Sequence, residues 1–153
     1  MFHRLFMKGM IKFMAEYSFP TVQTVETGDN VLFTNGYRCC KKGYVQHRDS
    51  SGIFTLKGAG CKALYRVQFN ANIAIATGGT IEPISVAITL DGETLNNVEA
   101  IVTPTVAEAF FNVSVATYIE VPCGCCVAIS VENTSDTTDI DVVNANIIID
   151  RIA

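Results

Sequence analysis

The sequence 65-YRVQFNANIAI-75 decides the fold, because apolar side chains occupy every second position along it. Successive side chains of an extended strand point to opposite faces, so this pattern predicts a half-buried β-strand with Tyr65 and Phe69 inward and Arg66 outward. The same two-residue period recurs between turn signals, while helical periodicity is almost absent. The other alternating segments are 84–90, 111–121, 125–131 and 142–152, and residues 133–139 are predicted to form a polar loop between the last two. This spacing of strands and turns predicts an all-β, antiparallel sandwich or barrel.

Composition indicates a single domain, part of whose apolar surface is covered by another subunit. A chain of 153 residues can bury a core without stabilisation by disulfide bonds or metal ions. Its composition of 49% hydrophobic and 17% charged residues is apolar for a monomer. The second half also has strands with apolar residues on both faces, such as Ile147-Ile148-Ile149, which a wet-faced antiparallel sheet does not need. We therefore expect an oligomer. No apolar run reaches the ~18 residues that cross a bilayer, so no membrane span is predicted.

Charge is distributed unevenly along the chain, whose net charge is -4. Residues 67–150 contain no Lys or Arg and eleven Asp or Glu. Seven Lys and Arg residues cluster just before this segment: Arg38, Lys41, Lys42, Arg48, Lys57, Lys62 and Arg66. A basic stretch can bind nucleic acid or a membrane surface, but the acidic total favours a basic edge that faces an acidic edge, within or between subunits. We expect no nucleic-acid partner.

Six cysteines leave the thiol chemistry open. They are Cys39, Cys40, Cys61, Cys123, Cys125 and Cys126. An even number permits disulfides, but the pairing is not determined, and the one CxxC spacing is only half of a zinc knuckle. Buried thiols are the favoured interpretation, since Cys125 shares the parity of the apolar residues Val127 and Ile129.

The first residues differ from the rest of the chain. We assign residues 1–17 to an N-terminal extension and residues 18–153 to the β-domain. The extension mixes apolar and basic residues, so it could form a short amphipathic helix that docks on a partner, such as a particle-surface protein, or on a membrane surface. Alternatively it is disordered, or translation begins at Met14.

No catalytic constellation is visible, and we expect a protein that is not an enzyme and needs no cofactor. His47 lies beside Arg48 and Asp49 with no nucleophile motif near it. No metal site is predicted either. The weak candidates are Asp136, Asp139 and Asp141, whose carboxylates suit Ca²⁺ but lack the spacing of an EF-hand loop.

A family resemblance rests on the order of these motifs. The strand at Tyr65 follows a Gly-rich loop, and a hairpin signal stands at Asp91-Gly92. Then come 118-YIEVP-122, 127-VAISVEN-133 and 147-IIIDRI-152. This order resembles the tumour necrosis factor and complement globular-head superfamily over residues 20–153, and looks most similar to its bacterial branch, including the heads of collagen-like spore-surface glycoproteins.

The resemblance implies a jelly roll of about ten strands that assembles as a homotrimer, with the outer face of one sheet around the three-fold axis. It makes Phe110, Tyr118 and Ile148 the candidate interface residues, with ordinary core as the alternative. The chain lacks the collagen repeat, and it also looks like short prophage proteins that begin Met-Ala-Glu. These likenesses imply a structural virion component at the virion surface, such as a capsid decoration protein or a short head-fibre head. The alternative is a module on a bacterial cell or spore surface that recognises a glycan or host receptor.

Overall fold

A computed structural model describes residues 14–34, 36, 44–58, 62–124 and 126–153. The described residues form ten β-strands, and none of them belongs to a helix long and apolar enough to cross a membrane. The strands are β1 (Met14–Phe19), β2 (Gln23–Val25), β3 (Val45–His47), β4 (Phe54–Lys57), β5 (Ala63–Ile75), β6 (Ile84–Leu90), β7 (Glu93–Val102), β8 (Phe111–Val121), β9 (Cys126–Asn133) and β10 (Ile140–Arg151). The predicted all-β class is confirmed.

Two antiparallel sheets form the sandwich. The first sheet has the order β1-β10-β5-β8, and β2 pairs with the start of β10. The second sheet has the order β3-β4-β9-β6-β7. Because β1 pairs with β10 and β5 lies beside β10, strands far apart in the sequence become neighbours, as in a jelly roll.

The core lies between the sheets and follows the alternation of β5. Tyr65, Val67 and Phe69 are fully buried, whereas Arg66 is exposed. Aromatic rings join the two layers: the ring centroids of Phe33 lie 5.4 Å from Phe54 and 6.2 Å from Phe69. Edge-to-face pairs of this kind add to the free energy gained by burying the rings.

The N-terminal boundary differs from the one expected. Residues 14–17 were assigned to the extension, but β1 begins at Met14 and pairs with β10 in continuous register. Ala15 and Tyr17 point into the core, while Met14 and Glu16 are exposed. The short Met-Ala-Glu-Tyr alternation is thus a strand of the domain. Residues 1–13 of the predicted extension, with the possible anchor, lie outside the described residues.

The turn at the end of β6 was predicted correctly, and the end of β9 was not. Asp91 and Gly92 both have positive φ, 50° and 85°, which is the backbone of the predicted tight hairpin between β6 and β7. The segment from Asn133 was expected to be a polar loop, but Asn133 ends β9 and is fully buried. Its amide nitrogen donates to the carbonyls of Val25 and Thr138, at 3.0 Å and 3.1 Å, so burial costs no unpaired group there.

Candidate interaction face

The outer face of the first sheet presents a row of side chains across four strands. Register places Met14, Asp150, Arg66 and Tyr118 side by side on β1, β10, β5 and β8. Met14 is 41% exposed and Tyr118 is 64% exposed, so large apolar side chains flank the row. Between them the guanidinium of Arg66 donates to Asp150 Oδ2 at 2.8 Å.

The second row of side chains still contains apolar residues, whereas the third row is entirely polar. It holds Glu16, Ile148, Gln68 and Ala116, and Ile148 is half-buried. The third row is Ser18, Asn146, Asn70 and Ser114. The apolar surface of this face is therefore concentrated at the Met14 end of β1.

Asp150 carries an unsatisfied oxygen within this surface. Its side chain is 13% exposed, and Oδ1 is buried without a hydrogen-bond partner among the described residues. A buried acceptor without a donor destabilises the protein that contains it, by about 1–3 kcal/mol. A donor supplied from outside the chain at this face would remove that cost.

The three predicted interface residues do not all come together. Tyr118 and Ile148 share the outer face in adjacent rows, separated by β5. Phe110 is 44% exposed but precedes β8 at the opposite end, roughly 27 Å from Tyr118 at about 3.4 Å per residue. Sequence reasoning missed Met14 and the Arg66–Asp150 pair, because the register of β1 against β10 could not be inferred from either strand alone.

The two cysteines that the structure describes, Cys123 and Cys126, are exposed, so neither belongs to the buried thiols that the sequence favours. Cys123 lies in the turn between β8 and β9, where its sulfur accepts the Lys62 N–H at 2.9 Å. Cys126 lies opposite Lys57 on the outward parity of β9. The predictions for Cys39, Cys40, Cys61 and Cys125 fall outside the described residues.

Charged side chains near this turn form an exposed pair. Lys62 Nζ lies 2.6 Å from Glu120 Oε1, and both side chains are more than half exposed. The hydrogen bond to Glu120, together with its charge, raises the pKa of Lys62. Such exposed pairs contribute little to stability.

The weak metal candidates are not gathered into a site. No group of three or more His, Cys, Asp or Glu suited to a metal ion exists in the described ranges, which include Asp136, Asp139 and Asp141. Asp136 and Asp139 are exposed, and Asp141 Oδ1 accepts the hydroxyl of Thr24 at 2.6 Å.

His47 is packed as part of the structure. Its ring stacks on Phe54 at 4.5 Å and lies 4.7 Å from the ring of Tyr17. Nε2 lies 2.8 Å from the carbonyl oxygen of Ser51. These contacts fix the ring against the aromatic core. That the chain is not an enzyme stays a prediction.

A concave feature, the edge groove, lies at the side of the sandwich. It has a volume of about 440 Å³ and runs between residues 23–26, the three residues Asp29, Asn30 and Leu32, and residues 51–53. This volume falls within the roughly 300–1,000 Å³ typical of ligand pockets. Nothing in the sequence pattern predicted it, because its walls come from three separate segments.

The sequence matches no protein-family model and no curated protein at a significant level. Solved structures do match. The chain is similar to the Eiger TNF of S. frugiperda (11% identity, 92% of this chain, 94% of that chain, TM-score 0.62) and to murine APRIL (11%, 91%, 99%, 0.62). It is also similar to the globular domain of zebrafish complement 1qA (10%, 93%, 98%, 0.61).

At these identities the likeness concerns the fold. It spans nearly the whole length of both partners in each comparison, so it covers both sheets rather than a local motif. The chain folds as a jelly-roll β-sandwich of the type found in tumour necrosis factor and complement C1q heads.

Proposed function

We propose that this chain is a non-enzymatic head that assembles as a homotrimer through the outer face of the first sheet and serves as a structural component of a particle surface. The observation that carries the proposal is the row of Met14, Asp150, Arg66 and Tyr118, together with Ile148 beside it. Large exposed apolar side chains, and a buried carboxylate oxygen that has no hydrogen-bond partner among the described residues, favour a surface that another subunit covers.

The mass in solution tests the assembly. Light scattering is expected to give about three times the chain mass of 16.6 kDa. Tyr118→Glu and Ile148→Glu each place a charge in the proposed interface and should shift the mass toward one chain while circular dichroism stays unchanged. Ile81→Glu is the matched control, because Ile81 is 51% exposed and lies outside the first sheet. A wild-type monomer, or dissociation by the Ile81 variant alone, would contradict the proposal.

The particle we propose is a bacteriophage or prophage virion, with the head acting as a capsid decoration protein or the head of a short head fibre. The resemblance to short prophage proteins that begin Met-Ala-Glu supports this assignment. An antibody to the chain should detect it in intact virions purified on a density gradient after prophage induction. Detection only in the unassembled fraction, or on the cell or spore surface, would reject the virion role.

A surface-displayed module that recognises a glycan or host receptor is the second candidate. The edge groove favours it, since a purely structural head has no need of a concave site apart from its interface. Binding of the labelled trimer to a glycan array or to host cells would support this function. Loss of that binding on mutation of the groove would assign it to this site.

A further inference from the structure

We propose that the edge groove binds a lysine or arginine side chain presented by a protein partner. Two walls of different chemistry meet there. Glu26 and Asp29 supply carboxylates to the lining and are named the acidic wall, while Leu32 and Ile53, which are 41% and 51% exposed, supply apolar surface and are named the apolar wall. The described lining residues include no Lys, Arg or His. A side chain with an aliphatic stem and a cationic head matches both walls, since such stems lie along apolar surface while the head stays hydrated or paired.

The acidic wall is held in place before any ligand binds. Glu26 and Asp29 are the first and last residues of a turn, in which the Asp29 N–H donates to the Glu26 carbonyl at 3.0 Å. Gly28, with φ of 85°, supplies the left-handed backbone that the turn requires. The end of β9 clamps this turn twice, because Gly28 N–H donates to Asn133 O and Asn133 N–H donates to Asp29 O, each at 2.9 Å. Because the backbone that carries both residues is fixed in advance, a ligand has only their side-chain rotamers to order, which lowers the conformational entropy lost on binding.

Both carboxylates are available to a ligand. No ion pair or side-chain hydrogen bond is formed by Glu26 or Asp29 within the part of the chain that the structure describes. Asp141 lies next to β2 and has its Oδ1 engaged by Thr24. It adds negative potential near the groove, which favours a cationic ligand over an anionic one.

The apolar wall is also built by specific contacts. Gly52 allows the turn before β4 to lie close to the backbone of Val31, since a Cβ on Gly52 would be 2.7 Å from the Val31 carbonyl oxygen. The side-chain amide of Gln23 accepts from the Leu32 N–H and donates to the Leu32 carbonyl, both at 2.9 Å. Because the Leu32 N–H is already bound to the Gln23 side chain, it does not offer a free donor to a ligand backbone. The groove is thus suited to a side chain rather than to an added β-strand.

The test titrates short capped peptides into the full ¹⁵N-labelled chain and follows amide chemical shifts. The probes are Ac-Ala-Lys-Ala-NH₂, its arginine and glutamate counterparts, and a norleucine counterpart that has the stem without the charge. Saturable shifts at residues 26–32 and 51–53 are expected for the Lys and Arg peptides, with weaker binding of the norleucine peptide and none of the glutamate peptide. Equal binding of the Lys and norleucine peptides, or no saturable shift, would overturn the proposal.

Matched variants assign the effect to the two walls. Asp29→Asn should weaken binding of the lysine peptide by about twofold to fivefold, the range for an exposed charge pair, whereas Asp136→Asn removes the same charge elsewhere and should not. Ile53→Ser should weaken it, while Ile81→Ser, at the same 51% exposure, should not. Equal losses in the control variants would contradict a site in the groove. If CaCl₂ alone shifts the groove amides and the lysine peptide does not, the groove is a divalent-cation site and the proposal is wrong.

The inference is independent of the proposed trimer. The groove lies at the sandwich edge, and the test variants leave Met14, Tyr118 and Ile148 unchanged. A monomeric chain that still binds the lysine peptide would reject the assembly and keep the site, whereas a trimer without saturable binding would do the reverse.

Discussion

At the scale of single residues, two glutamates have opposite electrostatic environments. Glu132 lies on β9, where burial, followed by repulsion from Glu93, raises the pKa of its carboxyl. Glu82 precedes β6, and hydrogen bonds from Thr138 and Thr137 lower the pKa of its carboxyl. Thr137 donates its N–H to Glu82 Oε1 at 3.0 Å. These shifts predict that the two side chains contribute to stability with opposite signs.

We expect Glu132→Gln to raise the urea midpoint at pH 7 and Glu82→Gln to lower it. A raised folded-state pKa means that ionised Glu132 weakens the fold above that pKa, so the gain from Glu132→Gln disappears as pH falls below the ordinary value of about 4.3. A lowered pKa means that ionised Glu82 stabilises the fold above about pH 4.3, and this contribution is lost as pH falls through its folded-state pKa. Midpoints measured from about pH 3 to pH 7 check both signs. Parallel shifts of the two variants would contradict the assignment.

Residue-level prediction succeeded where a side chain's role follows from its parity and failed where it depends on distant partners. Tyr65 and Phe69 were predicted inward and are fully buried. Asn133 was predicted to be in a polar loop, because an amide gives no sign of burial unless its acceptors are known. Those acceptors, Val25 O and Thr138 O, come from other segments of the chain. The edge groove was missed for the same reason.

At the scale of elements, β10 contains an irregularity that its alternating sequence conceals. The register against β5 shifts between Val143 and Asn146, and Asn144 adopts φ of 53° there. Its N–H bonds to the Pro20 carbonyl rather than continuing the ladder with β5. This bulge returns Ala145 and Ile147 to the core side after the extra residue. Asn tolerates the left-handed region better than most residues do.

Asn144→Val should therefore lower the free energy of unfolding by about 1–2 kcal/mol, because a β-branched residue is strained at positive φ. Asn144→Gly should keep stability close to wild type, since glycine accepts this backbone at no steric cost. Urea unfolding at one fixed protein concentration compares the three chains. Equal stability of the Val and Gly variants would show that β10 relaxes without the bulge.

Strands with strong alternation were predicted nearly in full, and the first two strands were not. β5, β6 and β8 were located to within two residues, and the hairpin after β6 was placed at its two turn residues. β1 and β2 were missed, since six and three residues give too short a period to separate from irregular chain. Sheet order was not derivable from pattern. The family resemblance implied only a jelly roll of about ten strands, and the similar solved structures support that fold.

At the scale of the whole molecule, the first described strand and the last are paired neighbours in one sheet. β1 pairs along its full length with β10. Tyr17 on β1 is fully buried, and its ring centroid lies 4.8 Å from that of Phe54. β1 thus covers the edge of β10 and contributes to the aromatic core between the sheets. An uncovered edge of β10 would offer unpaired backbone groups to other chains.

Truncation separates this role from that of residues 1–13. A chain that begins at Met14 should fold with the melting temperature of the full chain, because every described contact is retained. A chain that begins at Pro20 loses β1 and leaves a cavity in place of Tyr17. Loss of a large buried aromatic side chain alone costs about 3–5 kcal/mol, a large fraction of the stability of most domains. We therefore expect the shorter chain to aggregate or unfold, as judged by circular dichroism and light scattering. If it instead stays soluble and melts near wild type, β1 is a dispensable addition to the sheet, and the domain boundary belongs after Phe19.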